Sequence, residues 1–420
     1  MAMQASAKAD LIKSLEAVIG REFVTPEPEL RIDGLQPGML ARPGSAPEVA
    51  ECLRVCAAAN AAIIPAGFMT WLDGGNPVAR ADVVLSLERM NRIIEYSPAD
   101  LTATVEAGLA LSDFNTATVR DRQWLPFDPP GAARASLGAL AACASSGPFR
   151  AGFGTPRDYV IGLKLAHADG TESKCGGRVV KNVAGYDLNK LYVGSFGTLA
   201  VLTELTFKLR PLPEKFATVR VTANQQSSLF ETANRILNSE LQPASAFIAK
   251  DLTGEGSSLL VRFADSEAAV AYQADRTAQM LAAGCKAEIL GDDADAVWSQ
   301  VANLDSLAGT ALRLSVPLSA VRSTFERLLA LRPDCIAAAD VGAGIIRIAF
   351  DLDEAGAINL IESTRAEIRG SLFVERASPE VRRRADAWGD IRQAAGLMKA
   401  VKAKFDPQSL LNPGRFVCGI

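Results

Sequence analysis

Histidine is the residue type that most restricts the chemistry of this chain, because its 420 residues include a single one, His167. Histidine is the usual general base and a common metal ligand near neutral pH, so a site built from several histidines is excluded. His167 lies in LKLAHADG, which is typical of a strand leading into an Asp-Gly turn. This context favours a partly exposed structural histidine over a catalytic base.

The seven cysteines add little further chemistry. They are scattered and never spaced as C-x-x-C, which is typical of reduced thiols in a cytosolic protein. We therefore expect no metal site and no iron–sulfur cluster in this chain. The N-terminus lacks the apolar core of a signal peptide, and no apolar stretch is long enough to span a bilayer. A cytoplasmic protein is predicted, and any membrane association would have to come through partners.

The composition excludes several other classes of protein. Apolar residues make up 49% and charged residues 22% of the chain, which is ordinary for a folded globular protein. Lysine and arginine total 44 against 48 aspartates and glutamates, giving a net charge of -4. The chain therefore lacks the basic surface that binding to a phosphate backbone requires, and we expect no nucleic-acid partner.

Small residues dominate one stretch, residues 130–154, which is rich in glycine, alanine and serine and poor in charge. Exposed backbone N–H groups and small hydroxyls suit a pyrophosphate, and missing side chains let a large flat ligand approach closely. A tight loop-to-helix junction explains the same composition equally well. The chain has no G-x-x-x-x-G-K-[ST] loop, and VGAGIIRIAF at residues 341–350 reads as a hairpin turn and not as a dinucleotide fingerprint.

The elements that must position these residues change in character along the chain. Helix and strand patterns alternate from about Pro43, and RPLPE at residues 210–214 ends this region with two prolines. The strands and helices that follow predict an α+β domain with an antiparallel sheet covered by helices. We therefore expect a helical segment over 1–41, an α/β domain over 42–215, a cap domain over 216–380, and a segment over 381–420 that packs on the α/β domain.

Five segments together resemble the FAD-binding proteins of the vanillyl-alcohol oxidase type, whose FAD-binding domain is also called the p-cresol methylhydroxylase (PCMH) type. The likeness covers residues 42–213 and 399–416 and hardly extends to the middle of the chain. Within this family the chain is most similar to the FAD-binding subunits of bacterial glycolate oxidases, for which KNVAGYDL at residues 181–188 is characteristic. The five segments are PAGFMT (65–70), SLGALAACASSG (136–147), GTPRDYVIGLKLAHADG (154–170), VKNVAGYDLNKLYVGSFGTLAVLTEL (180–205) and KAKFDPQSLLNPGRF (402–416).

The resemblance implies an α+β fold, with a two-part α/β FAD-binding domain and an antiparallel-sheet cap, and it implies FAD as the cofactor. The family's first pyrophosphate loop falls on residues 65–70, where Phe68 and Met69 replace glycines. Its second phosphate-binding stretch falls within residues 130–147. By position, the implied cofactor-binding residues are Pro65, Ala66, Gly67, Phe68, Met69, Thr70, Pro130, Gly131, Ser136, Leu137, Gly138, Ala142, Ser145, Gly147, Gly154, Arg157, Asp158, Ile161, Gly197, Leu199, Val201 and Asn412.

The resemblance leaves the catalytic residues unassigned. Many relatives attach FAD to a histidine, but neither phosphate-binding stretch contains one, so noncovalent FAD is expected. Cys143 reads as a small buried residue on a helix and not as the site of a thioether link. The family's catalytic subunits share a C-terminal histidine cluster, which is absent here. Arg134, Arg150 and Arg415 are candidates for anion recognition, although surface salt bridges would explain them as easily.

The function implied by the resemblance is that of an FAD-dependent oxidoreductase acting on CH–OH groups. Specifically, it implies the FAD-binding subunit of a glycolate oxidase-like complex that oxidises glycolate or a related small 2-hydroxy acid and relays electrons. The expected partners are a catalytic flavoprotein subunit and an iron–sulfur subunit. Two alternatives stay open: an autonomous FAD-dependent 2-hydroxy-acid dehydrogenase, and a non-catalytic scaffold in which Phe68 and Met69 no longer admit the pyrophosphate.

Overall fold

The computed structural model describes residues 4–178, 186–252, 256–291 and 293–420. Most of the characteristic KNVAGYDL run, residues 181–185, lies outside the described residues. The helices are α1 (Ala5–Ile19), α2 (Ala46–Ala58), α3 (Leu111–Thr118), α4 (Leu137–Cys143), α5 (Arg150–Phe153), α6 (Pro156–Tyr159), α7 (Asn189–Tyr192), α8 (Gln226–Leu237), α9 (Glu267–Gln279), α10 (Ala294–Ala302), α11 (Val321–Leu331), α12 (Glu354–Glu367), α13 (Pro379–Ala385) and α14 (Arg392–Phe405). The strands are β1 (Val24–Pro26), β2 (Met39–Ala41), β3 (Ile63–Ala66), β4 (Val83–Ser86), β5 (Ile93–Ser97), β6 (Thr102–Glu106), β7 (Gln123–Trp124), β8 (Val160–Ala166), β9 (Glu172–Gly176), β10 (Val201–Lys208), β11 (Arg210–Pro211), β12 (Lys215–Ala223), β13 (Ser245–Lys250), β14 (Ser257–Asp265), β15 (Cys285–Leu290), β16 (Thr310–Ser315), β17 (Ile336–Asp340), β18 (Ile345–Phe350) and β19 (Ser371–Arg376).

Two small sheets share one hydrophobic core in the N-terminal half. The first has the order β1-β2-β4-β3, in which β2, β4 and β3 run parallel. The second is antiparallel and has the order β5-β6-β10-β8-β9. Both sheets bury apolar side chains against helices α1 and α2, and burial of this kind is the main favourable term in folding. Core residues from these elements include Leu15, Leu53, Leu85, Val105 and Leu205.

The C-terminal half is built on one antiparallel sheet of eight strands, in the order β15-β12-β14-β13-β17-β18-β16-β19. The side chains of α8, α9, α11 and α12 pack into one core with this sheet, through residues such as Phe230, Val270, Phe325 and Ile361. Helix α10 contributes Trp298 and Val301 to a second core that shares the same strands. The predicted α+β class is confirmed, and residues 341–344 form the predicted turn between β17 and β18.

The N-terminal segment differs from the helical segment predicted for residues 1–41. Besides α1 it contributes β1 and β2, and β2 extends the parallel sheet through its pairing with β4. Met39–Ala41 is only three residues long and is buried at every position, so no alternating pattern is visible in the sequence. This short length explains why the two strands were not predicted.

The C-terminal tail lies against the first sheet, where it brings Asn412 beside the start of β3. Ile63 N–H donates to the carbonyl oxygen of Leu410 at 2.7 Å, and Asn412 N–H donates to that of Ile63 at 2.8 Å. Within the described ranges, no helix has the length and apolar character needed to cross a membrane. The side chains described there also form no cluster suited to holding a metal ion.

Candidate functional site

A main cleft of about 740 Å³ opens where β3, β4 and β6 end and where α4 and β10 begin. Small residues make up much of the wall, so a ligand can approach the backbone closely. The lining comprises Pro65, Ala66, Gly67, Met69, Thr70, Trp71, Leu72, Gly74, Leu87, Ala107, Ser136, Gly138, Ala139, Ala142, Cys143, Phe196, Gly197, Ala200, Val201, Leu202, Asn412 and Arg415.

The loop after β3 presents free backbone donors at this cleft. In the hydrogen-bond network of the described residues, the N–H groups of Phe68, Met69 and Thr70 donate to no acceptor. Met69 holds the left-handed conformation, with φ of +61°. Successive N–H groups around a left-handed residue form a concave nest that binds anions. The loop therefore keeps this conformation although a methionine stands where the family pattern has a glycine.

Close packing of two glycines holds the loop against α4. A Cβ atom at Gly67 would overlap the hydroxyl oxygen of Ser136, and one at Gly138 would lie 2.7 Å from the carbonyl oxygen of Ala107. The Ser136 hydroxyl caps α4 by accepting from Ala139 N–H at 3.3 Å. The N–H groups of Leu137 and Gly138 donate to loop carbonyls at 2.9 and 2.7 Å. The start of α4 thus forms a wall whose own donors are already used.

Half of the predicted cofactor-binding residues line the main cleft. They come from four separate parts of the chain, namely Pro65, Ala66, Gly67, Met69, Thr70, Ser136, Gly138, Ala142, Gly197, Val201 and Asn412. Pro130 and Gly131 line a neighbouring cavity, and Gly147 lines a third. The structure places the remainder outside all three linings: Phe68, Leu137, Ser145, Gly154, Arg157, Asp158, Ile161 and Leu199.

The neighbouring cavity, called the side cleft here, separates the main cleft from the C-terminal sheet. It shares residues 69–72 and Gly74 with the main cleft, and it is closed on the far side by Asn303, Glu375 and Arg376. The N–H of Gly131 donates to Asn303 Oδ1 at 2.7 Å, so this predicted phosphate donor is occupied by a residue of the C-terminal half.

A third cavity of about 390 Å³ lies between the loop after α4 and the eight-stranded sheet, and we call it the arginine pocket. Two hydrogen bonds fix the loop on the sheet: Ser245 Oγ donates to Pro148 O at 2.7 Å, and Gly152 N–H donates to Ala244 O at 3.1 Å. The pocket is lined by Ser146, Gly147, Pro148, Arg150, Phe247, Val301, Arg313, Asp340, Ile345, Arg347 and Glu375.

The charges in the arginine pocket are unequally paired. Arg347 is fully engaged, because it binds Glu375 at 2.7 Å, Asp305 at 3.1 Å and two backbone carbonyls. Arg313 lies directly across the strand pair from Arg347 and reaches Glu375 only at 3.7 Å. Arg150 donates to Ser146 Oγ at 3.4 Å. Glu375 and Asp340 line the pocket, and Asp305 is a third carboxylate that pairs with Arg347. Arg150 and Arg313 are thus the two guanidinium groups without a close carboxylate partner, and like charges opposed across a strand pair repel each other.

Electrostatics around Arg313 and Asp340 indicate how the pocket would respond to a ligand. Burial lowers the pKa of Arg313, Glu375 opposes this, and Arg347 and Arg150 lower it further. Burial raises the pKa of Asp340 to about 6, against the opposing effect of Gly342 and Ala343 N–H donors and of Arg150. A small anion between Arg150 and Arg313 would relieve their repulsion.

His167 and Cys143 are the residues considered above for proton transfer and for a covalent link to FAD. Neither has surroundings that suit that chemistry. His167 shares a 2.9 Å hydrogen bond with Ser173 Oγ and stacks on Phe405, outside all three linings. Cys143 does line the main cleft, although the sequence suggested a buried helix residue. Burial raises the pKa of its thiol to about 12, so the reactive thiolate is not formed at neutral pH.

Comparison with known proteins decides what kind of domain surrounds the main cleft. Residues 37–176 match a family model described as an FAD binding domain. This part of the chain is an FAD-binding domain. It is 28% identical to glycolate oxidase subunit GlcD of Bacillus subtilis, over 90% of this chain and 88% of that protein. It is 34% identical to glycolate oxidase subunit GlcE of Escherichia coli, over 54% of this chain and 61% of that protein.

A solved structure of lower sequence similarity has the same fold. The chain matches p-cresol methylhydroxylase with a TM-score of 0.73 at 15% identity, over 98% of this chain and 97% of that one. This agreement confirms the PCMH-type fold that the sequence predicted. Because residues 37–176 match an FAD binding domain, FAD is the cofactor of the chain.

The residues of the main cleft fit FAD. The free N–H groups of residues 68–70 suit the pyrophosphate, and the small-residue wall of α4 leaves room for a flat ring. Two buried polar atoms in the lining, Asn412 Oδ1 and Arg415 Nη2, have no hydrogen-bond partner among the described residues. Because buried polar atoms are almost always paired, these two atoms point to a ligand. We propose that FAD is held there without a covalent link, since Cys143 stays protonated.

The left-handed conformation of Met69 leads us to predict how substitutions at this position change the affinity for FAD. A β-branched side chain is strongly disfavoured at positive φ, so Met69→Val should distort the loop and weaken FAD binding about tenfold, or ~1.4 kcal/mol. Met69→Gly accepts the same φ without strain, so it should bind FAD more tightly than Met69→Val. Fluorescence titration of the apoprotein with FAD measures both variants, and equal affinity in the two would contradict this role of the loop.

Several lining residues were missed by sequence reasoning. Trp71, Leu72 and Phe196 carry no motif that separates them from ordinary core residues. Arg313, Asp340 and Arg347 belong to the region with hardly any family resemblance, and only the strand register brings them together. Arg415 was noted as an anion candidate, and its NPGR context beside Asn412 was the available signal.

Proposed function

We propose that the chain oxidises a small 2-hydroxy acid with FAD and holds the acid in the arginine pocket. The observation that carries this proposal is the convergence of Arg150, Arg313 and Asp340 on one cavity. A 2-hydroxy acid needs a cation for its carboxylate and a group that accepts the hydroxyl proton while hydride leaves C2. The pocket offers both, and similarity to two glycolate oxidase subunits supports the same substrate class.

The arginine pocket is close to the main cleft along the chain. Cys143 is the last residue of α4 in the main cleft, and Ser146 opens the lining of the arginine pocket three positions later. The side cleft borders both cavities, since it shares Met69 with the first and Glu375 with the second. When bound, FAD supplies the acceptor for the two electrons and the hydrogen that leave C2 of the substrate. A substrate in the arginine pocket would therefore lie beside the cofactor domain.

Each polar residue of the pocket has a separate role in this proposal. Arg150 and Arg313 bind the carboxylate, because neither has a close carboxylate partner of its own. Arg347 and Glu375 hold Arg313 in place through the network described above. Asp340 accepts the hydroxyl proton: its Oδ1 is held by Gly342 and Ala343 N–H at 3.0 Å, which fixes the carboxylate at the pocket wall.

The ionisation of Asp340 predicts the acid limb of the pH profile. Asp340 can accept a proton only when ionised, and burial raises its pKa to about 6, so kcat/KM should rise as pH increases through that value. Arg150 and the buried Asp128 carboxyl group interact with it electrostatically, and Glu375, Arg313 and Arg347 line the same pocket. Initial rates measured from two pH units below to two above would show this limb, and a flat profile over that range would contradict a proton acceptor at this position.

We also propose that the chain works as a subunit of a glycolate oxidase-like complex. The names of two relatives support this, because each is described as a glycolate oxidase subunit. A catalytic flavoprotein subunit and an iron–sulfur subunit are the partners expected from the resemblance. The scattered cysteines offer no cluster motif, so an iron–sulfur centre would belong to a partner. A cytoplasmic location is part of the same proposal.

The experiment that tests the proposal uses the chain purified alone. The protein is loaded with FAD and assayed with a dye acceptor, using glycolate and D-lactate as substrates and acetate as the analogue without a hydroxyl group. We expect dye reduction with a 2-hydroxy acid and none with acetate. FAD uptake without turnover would contradict the substrate role and favour a relay subunit, whereas no FAD uptake would favour a scaffold.

A further inference from the structure

The edge strand β19 carries a β-bulge where the arginine pocket meets the side cleft. Val374 pairs with Leu312 and Arg376 pairs with the neighbouring Ala311, so Glu375 is the extra residue. Consecutive side chains of a regular strand point to opposite faces, and a bulge re-aims one of them. Glu375 and Arg376 accordingly both line the side cleft, and Glu375 also lines the arginine pocket. The two cavities therefore meet at Glu375.

An ion network fixes the wall between these two cavities. Arg347 binds Glu375 at 2.7 Å and Asp305, a second carboxylate of the side cleft, at 3.1 Å. Arg313 lies 3.7 Å from Glu375 on the side of the arginine pocket. A ligand that passes Glu375 from the side cleft thus meets Arg313, which the proposed function assigns to the substrate carboxylate.

The two remaining carboxylates of the side cleft differ in their pairing. Asp33 binds two buried arginines, Arg382 at 2.6 Å and Arg415 at 3.0 Å, so this cluster keeps one net positive charge. Asp73 is exposed and forms no ion pair with a residue that the structure describes. The carboxylates of the lining are therefore largely neutralised by arginines around them.

Two exposed arginines of the side cleft, Arg31 and Arg376, are not neutralised in this way. Within the described ranges neither forms an ion pair, and the side chain of Arg31 donates only to Gly34 O, at 3.3 Å. Together with the cluster at Asp33 they give the cleft a net positive charge. A cleft lined by one sign of charge raises the local concentration and the entry rate of ligands of the opposite sign.

We propose that a small carboxylate anion enters the arginine pocket through the side cleft, where Arg31 and Arg376 attract it before Arg313 binds it. The inference rests on the proposed function, which places the 2-hydroxy acid in the arginine pocket. Arg31 lies between β1 and β2 and Arg376 ends β19, so each half of the chain contributes one cation. Both act on the free anion from a distance, so they raise kcat/KM and leave kcat unchanged.

The test measures steady-state kinetics of the FAD-loaded chain with glycolate at low and high salt. At low salt, we expect Arg31→Met and Arg376→Met each to lower kcat/KM about two- to fivefold, and the double variant about tenfold, with kcat unchanged. Raising the ionic strength from about 0.01 M to about 1 M shortens the Debye length from about 30 Å to about 3 Å, so the differences should vanish. Arg376→Glu should lower kcat/KM more than Arg376→Met.

The matched control is Arg369→Met. Arg369 is an exposed arginine that precedes the other end of β19 and lies outside the lining of the side cleft. This variant removes the same charge from the same edge of the sheet, and it should keep wild-type kcat/KM at both salt concentrations.

Wild-type kcat/KM in the double variant at low salt would overturn the inference. A loss that persists at high salt would indicate direct contact with the bound acid, and a lower kcat would place these arginines at the reaction, so either result would also overturn it. If the variants do not fold, wild-type kcat/KM that is independent of salt would overturn it as well. A wild-type chain that binds FAD but oxidises no 2-hydroxy acid would overturn the proposed function and this inference with it.

Discussion

Replacing Asp340 by asparagine should lower kcat for a 2-hydroxy acid about 100-fold or more, because general base catalysis typically contributes at least that factor. The amide oxygen can still accept from Gly342 and Ala343 N–H, which now hold the carboxylate at 3.0 Å. The turn between β17 and β18 should therefore survive, and KM should change little. Steady-state kinetics of the FAD-loaded protein gives both parameters.

The control for this substitution is Asp351→Asn, at the other end of β18. Asp351 is exposed and accepts from Gly309 N–H at 2.7 Å, so this variant changes charge near the same hairpin without touching the arginine pocket. It should keep wild-type kcat. The acid limb of the pH profile should also disappear in Asp340→Asn. A variant that retained wild-type kcat would remove Asp340 from the mechanism.

Replacing Arg150 by methionine should raise KM for the 2-hydroxy acid between about 10-fold and 100-fold, because a hydrogen bond to a charged group contributes roughly 1.5–3 kcal/mol. Arg150 makes its one described side-chain hydrogen bond to Ser146 at 3.4 Å, so the folded protein should lose little stability. The removed charge also relieves Arg313 of one repelling neighbour. Kinetics at saturating FAD measures the effect on the substrate alone.

Two further variants separate charge from shape at this position. Arg150→Lys keeps the positive charge and should recover part of the affinity. Arg120→Met removes an exposed arginine outside the pocket and should have wild-type KM. If Arg150→Met also had wild-type KM, the carboxylate would have to bind elsewhere.

The cofactor side of the site was largely predictable from sequence, because it depends on short local motifs. The loop at residues 65–70, the stretch before and within α4, and Asn412 all converge on the main cleft. Met69 shows why local pattern is informative: its left-handed backbone occupies a glycine position of the family. The residues around 154–161 were placed by the same resemblance but lie outside the lining. Asp158 there accepts from Thr155 N–H at the start of α6.

The substrate side could not be predicted, because long-range pairing creates it. Arg313 and Arg347 become neighbours only through the register of β16 and β18. Arg382 shows the limit of a local pattern: the run Arg382-Arg383-Arg384 is typical of a solvated helix face, yet Arg382 is buried against Asp33. A sequence pattern shows that α13 is charged, but not that one of its charges meets a carboxylate far away along the chain.

The measurement that tests the central claim most directly is the visible absorption spectrum of the FAD-loaded chain, purified alone, while glycolate is added without oxygen. If a 2-hydroxy acid binds beside FAD, the flavin absorption of the wild type should bleach with glycolate and persist with acetate. In Asp340→Asn the absorption should persist with glycolate over the time in which the wild type bleaches. A bound flavin that glycolate leaves unbleached would contradict the claim that this chain oxidises the acid itself, and would assign that step to a partner subunit.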